Sequence, residues 1–400
     1  MRVALIHDWL TGMRGGEKVL EGVCELFPEA DLFALVHQPG SVSPSIEGRG
    51  VRTSFVQRLP GSPGRFRRYL PLFPLAAESF DLSGYDLVVS SSHCVAKGIL
   101  RAPKALHVCY CHTPMRYVWD EADAYLSTLP GAARLPARAL GWMLRAWDRR
   151  TAGRVDLFLA NSTEVAGRIR RHYDREATLV PPPVDLERFR LPDAPREGFL
   201  LVVSALVPYK RVDLAVRACA ERGWPLWIAG TGPERERLER MAGPATRFLG
   251  WVAGDELAGL YRRARAFLFP GREDFGITPL EAMASGCPVV AYGAGGVLDT
   301  VVPPGGGESA TGVFFWEATE AALAGAVDRL TNGEVVFDPA ALRARAERFA
   351  RPRFLARLRD VLTEAWRQHG GSPADLPWRP APDAGRRTPD EPIRHAEAFP

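Results

Sequence analysis

The sequence predicts an α/β protein made of two doubly wound units with parallel sheets. Three observations predict it. Short apolar runs of the kind that form strands buried on both faces alternate with helical patterns through most of the chain. Prolines at 181, 182, 183, 192 and 195 interrupt this alternation, and it restarts after them. Compact loops join strand to helix around residues 11–17 and 273–278, where such folds bring backbone against a ligand.

Residues 3–6 are the first apolar strand. The turn Thr11-Gly12-Met13-Arg14-Gly15-Gly16-Glu17 follows, then a helical pattern through Val19, Leu20, Val23, Leu26 and Phe27. Gly15 and Gly16 suit either a ligand-binding loop or a turn that needs positive φ. The full dinucleotide fingerprint is absent here. Further strands are expected at 31–36, 87–90, 106–110, 157–160 and 178–180. His112 lies at one strand end, followed by Thr113, Pro114, Met115, Arg116, Tyr117, Val118, Trp119 and Asp120. That mixture suits a polar sugar site; a capping histidine in a loop is the other reading. Two stretches combine arginine with aromatic residues, one at 65–73 and the other at 134–150. Each can lie on anionic lipid with its arginine stems snorkelling, or pack as an ordinary amphipathic segment with solvated arginines.

The second unit restarts with a strand at 199–203 and reaches Val207-Pro208-Tyr209-Lys210-Arg211 before a helix at 212–222. Cations at that turn can neutralise a diphosphate. A strand at 226–229 ends in Gly230-Thr231-Gly232-Pro233, read as a tight turn because Arg235 stands where a third glycine belongs. A strand at 247–251 and a helix at 257–263 precede the apolar run 266–270. The loop Glu273-Asp274-Phe275-Gly276-Ile277-Thr278-Pro279-Leu280-Glu281 then enters a short helix that stops at Gly286. Strand, tight loop and helix aim backbone N–H groups at an anion. Seven residues separate the two glutamates, which allows both to face one cleft. A phosphate cradle flanked by carboxylates suits a sugar nucleotide; a merely dipole-favourable acidic turn is the alternative. A strand at 288–291, the glycines of 293–296 and helices at 318–330 and 352–366 complete the unit.

The composition bounds the function. A hydrophobic share of 46% is ample for packed cores, and a net charge of +4 is too small to imply nucleic acid. No apolar run nears the ~20 residues of a membrane span. The six cysteines are scattered and read as buried thiols in a reducing, cytoplasmic setting. Asp120-Glu121-Ala122-Asp123 comes nearest to an acidic metal motif, but its context is loop-to-helix, so no metal is expected.

Taken together, the motifs resemble the family-4 (group 1) retaining glycosyltransferases of GT-B architecture. The resemblance covers roughly residues 2–366. Its carriers are Gly15-Gly16-Glu17, His112, Lys210 and the Glu273…Glu281 loop with Phe275-Gly276 inside it. Residues 112–120 and 207–211 look like the branch that includes mannosyltransferases of bacterial surface polysaccharides.

The proline-rich break sets the boundary, a stiff linker at 181–197 between units at 1–180 and 198–351, and the resemblance implies that these are two Rossmann-like domains facing across a cleft, the first for the acceptor and the second for the donor. It also implies a helix, 352–368, that crosses back to the first domain. Composition alone makes 369–400 a disordered tail. His112, Lys210 and Glu273 are the implied catalytic residues. Gly15, Gly16, Arg211, Phe275, Gly276, Ile277 and Thr278 would hold donor phosphate and sugar, and Glu281 the ribose. An arginine usual five residues before the lysine is replaced by Ala205, with Arg211 or Arg116 as substitutes. Arg116 and Tyr117 are also candidate acceptor contacts.

The donor expected from the subgroup is GDP-mannose, with UDP-glucose, UDP-galactose and GDP-fucose as alternatives. The expected acceptor is a polyprenyl-linked saccharide at an anionic membrane surface. An epimerase or phosphorylase on the same fold is a rival reading, since fold does not set function. A non-catalytic binding scaffold is another.

Overall fold

In the computed structural model the structure describes residues 1–378 except Thr128 and Ala253. Two sheets form, and every strand pair in them is parallel. The first contains β1 Val3–Leu10, β2 Asp31–His37, β3 Arg52–Thr53, β4 Leu87–Ser92, β5 Leu106–Cys111, β6 Leu157–Ala160 and β7 Ala177–Leu179. Its order is β3-β2-β1-β4-β5-β6-β7. The second contains β8 Leu200–Val203, β9 Leu226–Ala229, β10 Thr246–Gly250, β11 Ala266–Phe269, β12 Val289–Tyr292 and β13 Gly312–Phe315. Its order is β10-β9-β8-β11-β12-β13.

Each sheet is covered on both faces. Along β1 the side chains alternate, with Val3 and Leu5 in one core and Ala4 and Ile6 in the core on the opposite face. Both sheets reverse order beside their first strand, so each has a crevice at its carboxyl strand ends. The crevices face each other, and residues of both units line a single cleft of about 1450 Å³.

The helix Arg351–Gln368 leaves the second unit and packs on the first. Phe354, Leu358, Leu362 and Trp366 repeat at helical spacing and join the core that holds Val3, Leu20 and Val23. Gly22 makes room for it, since a Cβ there would lie 2.7 Å from Phe354 Cε1. Arg351 reaches Glu25 at 2.9 Å and Glu21 at 3.3 Å to fix the register.

The linker at 181–197 packs on the second unit: Val184, Leu186 and Phe189 are buried in its core. Arg196 also hydrogen-bonds the carbonyls of Tyr261, Arg262 and Ala264. The expected tail starts too early. Residues 369–378 continue along the first unit, with Leu376 buried and the Trp378 ring 5.0 Å from Phe27. Two apolar residues in a polar stretch were enough to anchor it. Positions 379–400 lie outside the described residues. Among the described residues no helix is long and apolar enough to cross a membrane.

Candidate active site

The loop after β11 is held from three sides. Gly271 allows it to pack on the Pro208–Lys210 turn, where a Cβ would lie 2.8 Å from the Lys210 carbonyl oxygen. Behind the loop, Glu273 bridges to Gly295, and the Gly296 N–H donates to the Glu273 carbonyl at 2.9 Å. Phe275 is buried and meets the Phe349 ring edge-on at 5.8 Å. Gly276 then takes φ +89°, a conformation glycine adopts without strain, and the helix Ile277–Ala284 begins. These constraints place Lys210 Nζ 2.5 Å from Glu273 Oε1 at the positive end of a helix.

The opposite wall comes from the first unit. Arg14 caps the helix Gly15–Leu26, and its N–H donates to Glu17 Oε2 at 3.0 Å. A Cβ on Gly15 would sit 3.2 Å from Ile277 Cδ1, so the missing side chain lets the two loops approach. A Cβ on Gly16 would sit 3.5 Å from His112 Nε2. His112 ends β5. Its Nε2 lies 2.8 Å from Ser91 Oγ, which lies 3.0 Å from His7 Nδ1. His7 Nε2 is in turn 3.7 Å from Glu17 Oε1. Burial, then the neighbouring His93 and His7, hold the His112 ring well below the usual histidine range. It is therefore a neutral hydrogen-bonding group at neutral pH, not a cation.

The structure brings most of the expected site residues together. Gly15, Gly16, His112, Arg116, Tyr117, Lys210, Glu273, Phe275, Gly276, Ile277 and Thr278 all line the cleft, as does Ala205. Three expected residues behave differently from the sequence reading. Arg211 lies outside the cleft lining, with positive φ and its guanidinium turned to Asp213 at 3.2 Å. Arg116 is in the cleft, ion-paired with Asp274 and with Glu121. Glu281 does not share the cleft wall with Glu273. It is buried, accepts from the Tyr261 hydroxyl at 3.2 Å, and lies 3.9 Å from Lys18 Nζ of the first unit. Burial raises its pKa against the opposing influence of Lys18. Tyr117 presents its ring, while its hydroxyl meets Cys94 Sγ at 2.5 Å.

Several site residues escaped the sequence reading. Ser204, Gly230 and Thr231 line the cleft. Gly230 and Gly232 are obligatory, because Cβ atoms there would lie 1.8 Å from the Ser204 oxygen and 2.3 Å from the Leu206 oxygen. Asp274 clasps the units together: its carboxylate meets Arg116 and Arg168, the latter at 2.7 Å, and its carbonyl accepts from Ser162. Asp8 accepts four backbone N–H bonds from residues 93–96 and thereby sets the β4 turn. The available signal was a polar pair, His7-Asp8, inside an apolar strand. Among the described residues no group of three or more His, Cys, Asp or Glu is arranged to hold a metal ion.

Comparison with known proteins agrees with this geometry. Residues 13–188 match the family described as Glycosyltransferase Family 4, and residues 184–352 match Glycosyl transferases group 1. A GDP-mannose-dependent alpha-(1-6)-phosphatidylinositol monomannoside mannosyltransferase of Mycobacterium tuberculosis is 30% identical over 297 residues, which is 62% of this chain and 77% of that protein. A GDP-mannose-dependent alpha-mannosyltransferase of the same species is 29% identical over 327 residues, 76% of this chain and 82% of that protein. Among solved structures, sucrose-phosphate synthase from Thermosynechococcus elongatus has a TM-score of 0.69 at 19% identity, covering 92% of this chain and 100% of that one. Anabaena HepE with UDP and glucose has a TM-score of 0.66 at 16% identity, covering 90% and 99%. Likeness at that identity speaks to the fold. The family matches run unbroken from residue 13 to 352 and include every cleft loop described above, so the chain belongs to the group 1, family-4 glycosyltransferases, retaining GT-B enzymes that transfer a hexose from a nucleotide sugar.

Proposed function

We propose that the chain transfers mannose from GDP-mannose to a saccharide carried on a polyprenyl lipid. The observation that carries the catalytic part is the Lys210–Glu273 pair at the start of the Ile277–Ala284 helix, facing Gly16 and His112. As the anomeric C–O bond breaks, negative charge grows on the departing diphosphate and the sugar gains oxocarbenium character. Lys210, the Gly16 N–H and the helix start stabilise that charge without a divalent metal. Glu273 accepts from a hexose hydroxyl, and neutral His112 hydrogen-bonds the sugar beside the reacting carbon. The amides of Phe275, Gly276, Ile277 and Thr278 hold phosphate or sugar oxygens. The acceptor hydroxyl attacks the same face that the phosphate leaves, and its proton passes to the leaving phosphate oxygen.

The choice of mannose and of guanine rests on the similarity to GDP-mannose-dependent relatives. A panel of nucleotide sugars tests it by thermal stabilisation, since a ligand bound only by the folded state raises Tm. GDP-mannose is expected to give the largest shift and to support turnover in EDTA. A larger shift with UDP-glucose, UDP-galactose or GDP-fucose would overturn the donor, and an absolute need for Mg²⁺ would overturn the metal-free clamp.

Glu281 is assigned to the ribose. Its burial beside Tyr261 and Lys18, off the wall that carries Lys210 and Glu273, suits a binding role over a chemical one. Losing a hydrogen bond to a charged group costs about 1.5–3 kcal/mol, roughly ten- to a hundredfold. Glu281→Gln is expected to raise the donor KM by about that factor while kcat changes less. Unchanged donor affinity would remove Glu281 from the site.

A lipid-borne acceptor requires a membrane-facing surface. The helix Gly131–Ala152 leaves Leu135, Trp142 and Met143 exposed at 77%, 72% and 58%, among Arg134, Arg138, Arg149 and Arg150. Arg65, Arg67 and Arg68 are exposed as well, although Arg68 is tied to the Pro60 carbonyl and Tyr69. Each arginine near an anionic surface contributes about 1 kcal/mol, screened by salt. The protein is expected to co-sediment with anionic vesicles at low salt and to detach at high salt. Trp142→Ser with Met143→Ser, or serine at 65, 67 and 68, is expected to weaken binding. A wild type that stays in the supernatant at low salt would favour a water-soluble acceptor.

A further inference from the structure

The cleft does not end at the reacting centre. It continues into the first unit, between the turn Phe66–Leu72 and the helix Gly131–Ala152. Trp9, Leu70 and Phe73 line one side of this branch. Ala137, Leu140, Gly141 and Leu144 line the other, at the i, i+3, i+4 and i+7 spacing of a single helix face. That stripe offers ~10 Å of apolar wall at the helical rise per residue. A nucleotide sugar is polar or charged throughout, so no part of the donor suits this wall.

The branch also carries cations. Arg67 and Arg138 line it, and among the described residues neither has a carboxylate partner. Arg67 lies over the rings of Trp9 and Phe66, at 5.9 and 5.2 Å. Arg145 donates to the Val118 carbonyl and lies over Trp119 at 5.7 Å. Trp142 belongs both to the lining and to the exposed apolar group of the same helix, so the branch opens beside Leu135 and Met143. Apolar walls, guanidinium groups with no carboxylate partner among the described residues, and an apolar mouth are the complement of a hydrocarbon chain that ends in phosphate.

We propose that this branch holds the phosphate and the first isoprene units of the acceptor lipid, with Arg67 and Arg138 at the phosphate. The inference rests on the lipid-linked acceptor proposed above and adds where that lipid is held. The saccharide would then extend from the phosphate toward His112, and the rest of the chain would leave past Trp142 into the bilayer.

The test uses the full chain without vesicles and farnesyl phosphate as the probe, titrated by calorimetry. Wild type is expected to bind it, and to bind inorganic phosphate at least tenfold more weakly. Ala137→Trp fills the branch, and Arg138→Ser removes a cation from an exposed position. Each is expected to weaken farnesyl phosphate at least tenfold while leaving GDP affinity unchanged, which also reports that the variant is folded. Unaltered farnesyl phosphate binding in Ala137→Trp, or equal binding of farnesyl phosphate and inorganic phosphate by wild type, would overturn the assignment. A wild type that glycosylates a polyprenyl-linked saccharide yet does not bind farnesyl phosphate would sink this inference and leave the proposed function standing. Turnover of water-soluble acceptors alone would sink the proposed acceptor itself.

Discussion

Lys210→Ala is expected to lower kcat about 10²–10³-fold, the usual effect of removing one preorganised group from a site of growing charge. The ammonium sits at the mouth of the Ile277–Ala284 helix, 2.5 Å from Glu273 and 16% exposed. There a fixed positive charge acts in a partly water-excluded cleft, where it is worth more than in bulk solvent. The charge on the diphosphate increases as the anomeric bond breaks, so the interaction is strongest after the ground state. The affinity for free GDP, measured by calorimetry, should therefore fall only a few-fold. A Lys210→Ala enzyme with near-normal kcat would remove the lysine from the leaving-group clamp. Equal losses in kcat/KM and in GDP affinity, with kcat preserved, would make it a binding residue only.

Gly296→Ala is expected to cost about a hundredfold in kcat/KM for the donor, without touching any reacting group. A Cβ at this position would lie 2.2 Å from the Asp274 carbonyl oxygen and 2.4 Å from Phe275 Cα. Both neighbours are backbone, so the collision cannot be relieved by rotating a side chain. The loop must move, and with it Glu273 and the amides of residues 275–277. A displacement of about 1 Å in a positioning element can cost 10²-fold. Gly259→Ala provides the control, since its Cβ would meet nothing within 4 Å. It should leave the kinetics unchanged and raise Tm slightly, because alanine stabilises the interior of the helix Gly254–Arg263 by about 0.5–1 kcal/mol over glycine. If Gly296→Ala behaved like Gly259→Ala, the backing of the donor loop by residues 295–296 would carry no functional weight.

The parts of the site legible in the sequence are those that local chain geometry dictates. Gly15-Gly16 and Gly276 stand where a strand turns into a helix and backbone must come close to something, and a missing side chain advertises that need. Lys210 and Glu273 stand at equivalent turns of the second sheet, and β8 and β11 are hydrogen-bonded neighbours. A charged residue at either turn therefore opens on the same crevice. The apolar face of the helix Arg351–Gln368 was equally readable, because its period is a property of the helix itself.

The partners of these residues were not readable. Glu281 was expected to face one cleft with Glu273, but one side chain meets Lys210 in the cleft and the other turns to Tyr261 and Lys18. Arg211 and Arg116 were equal candidates for a missing cation, yet one turns away to Asp213 and the other is ion-paired with Asp274. The Asp274 clasp joins positions 158 and 106 residues apart. Spacing along the chain carries no information about such pairs, because they form only when two separately folded sheets meet at one angle. Residues 372–378 make the same point, since their few apolar side chains gain cover from a surface to which the other end of the chain contributes, Phe27 among it. By itself, then, the sequence determined two parallel sheets, the turns that face a ligand and the residue types set there, since these follow from backbone sterics and side-chain period. Tertiary structure alone decided which charges remain available in the cleft and where an apolar branch opens beside it, because both depend on Coulombic and packing contacts between segments that meet only in the folded molecule.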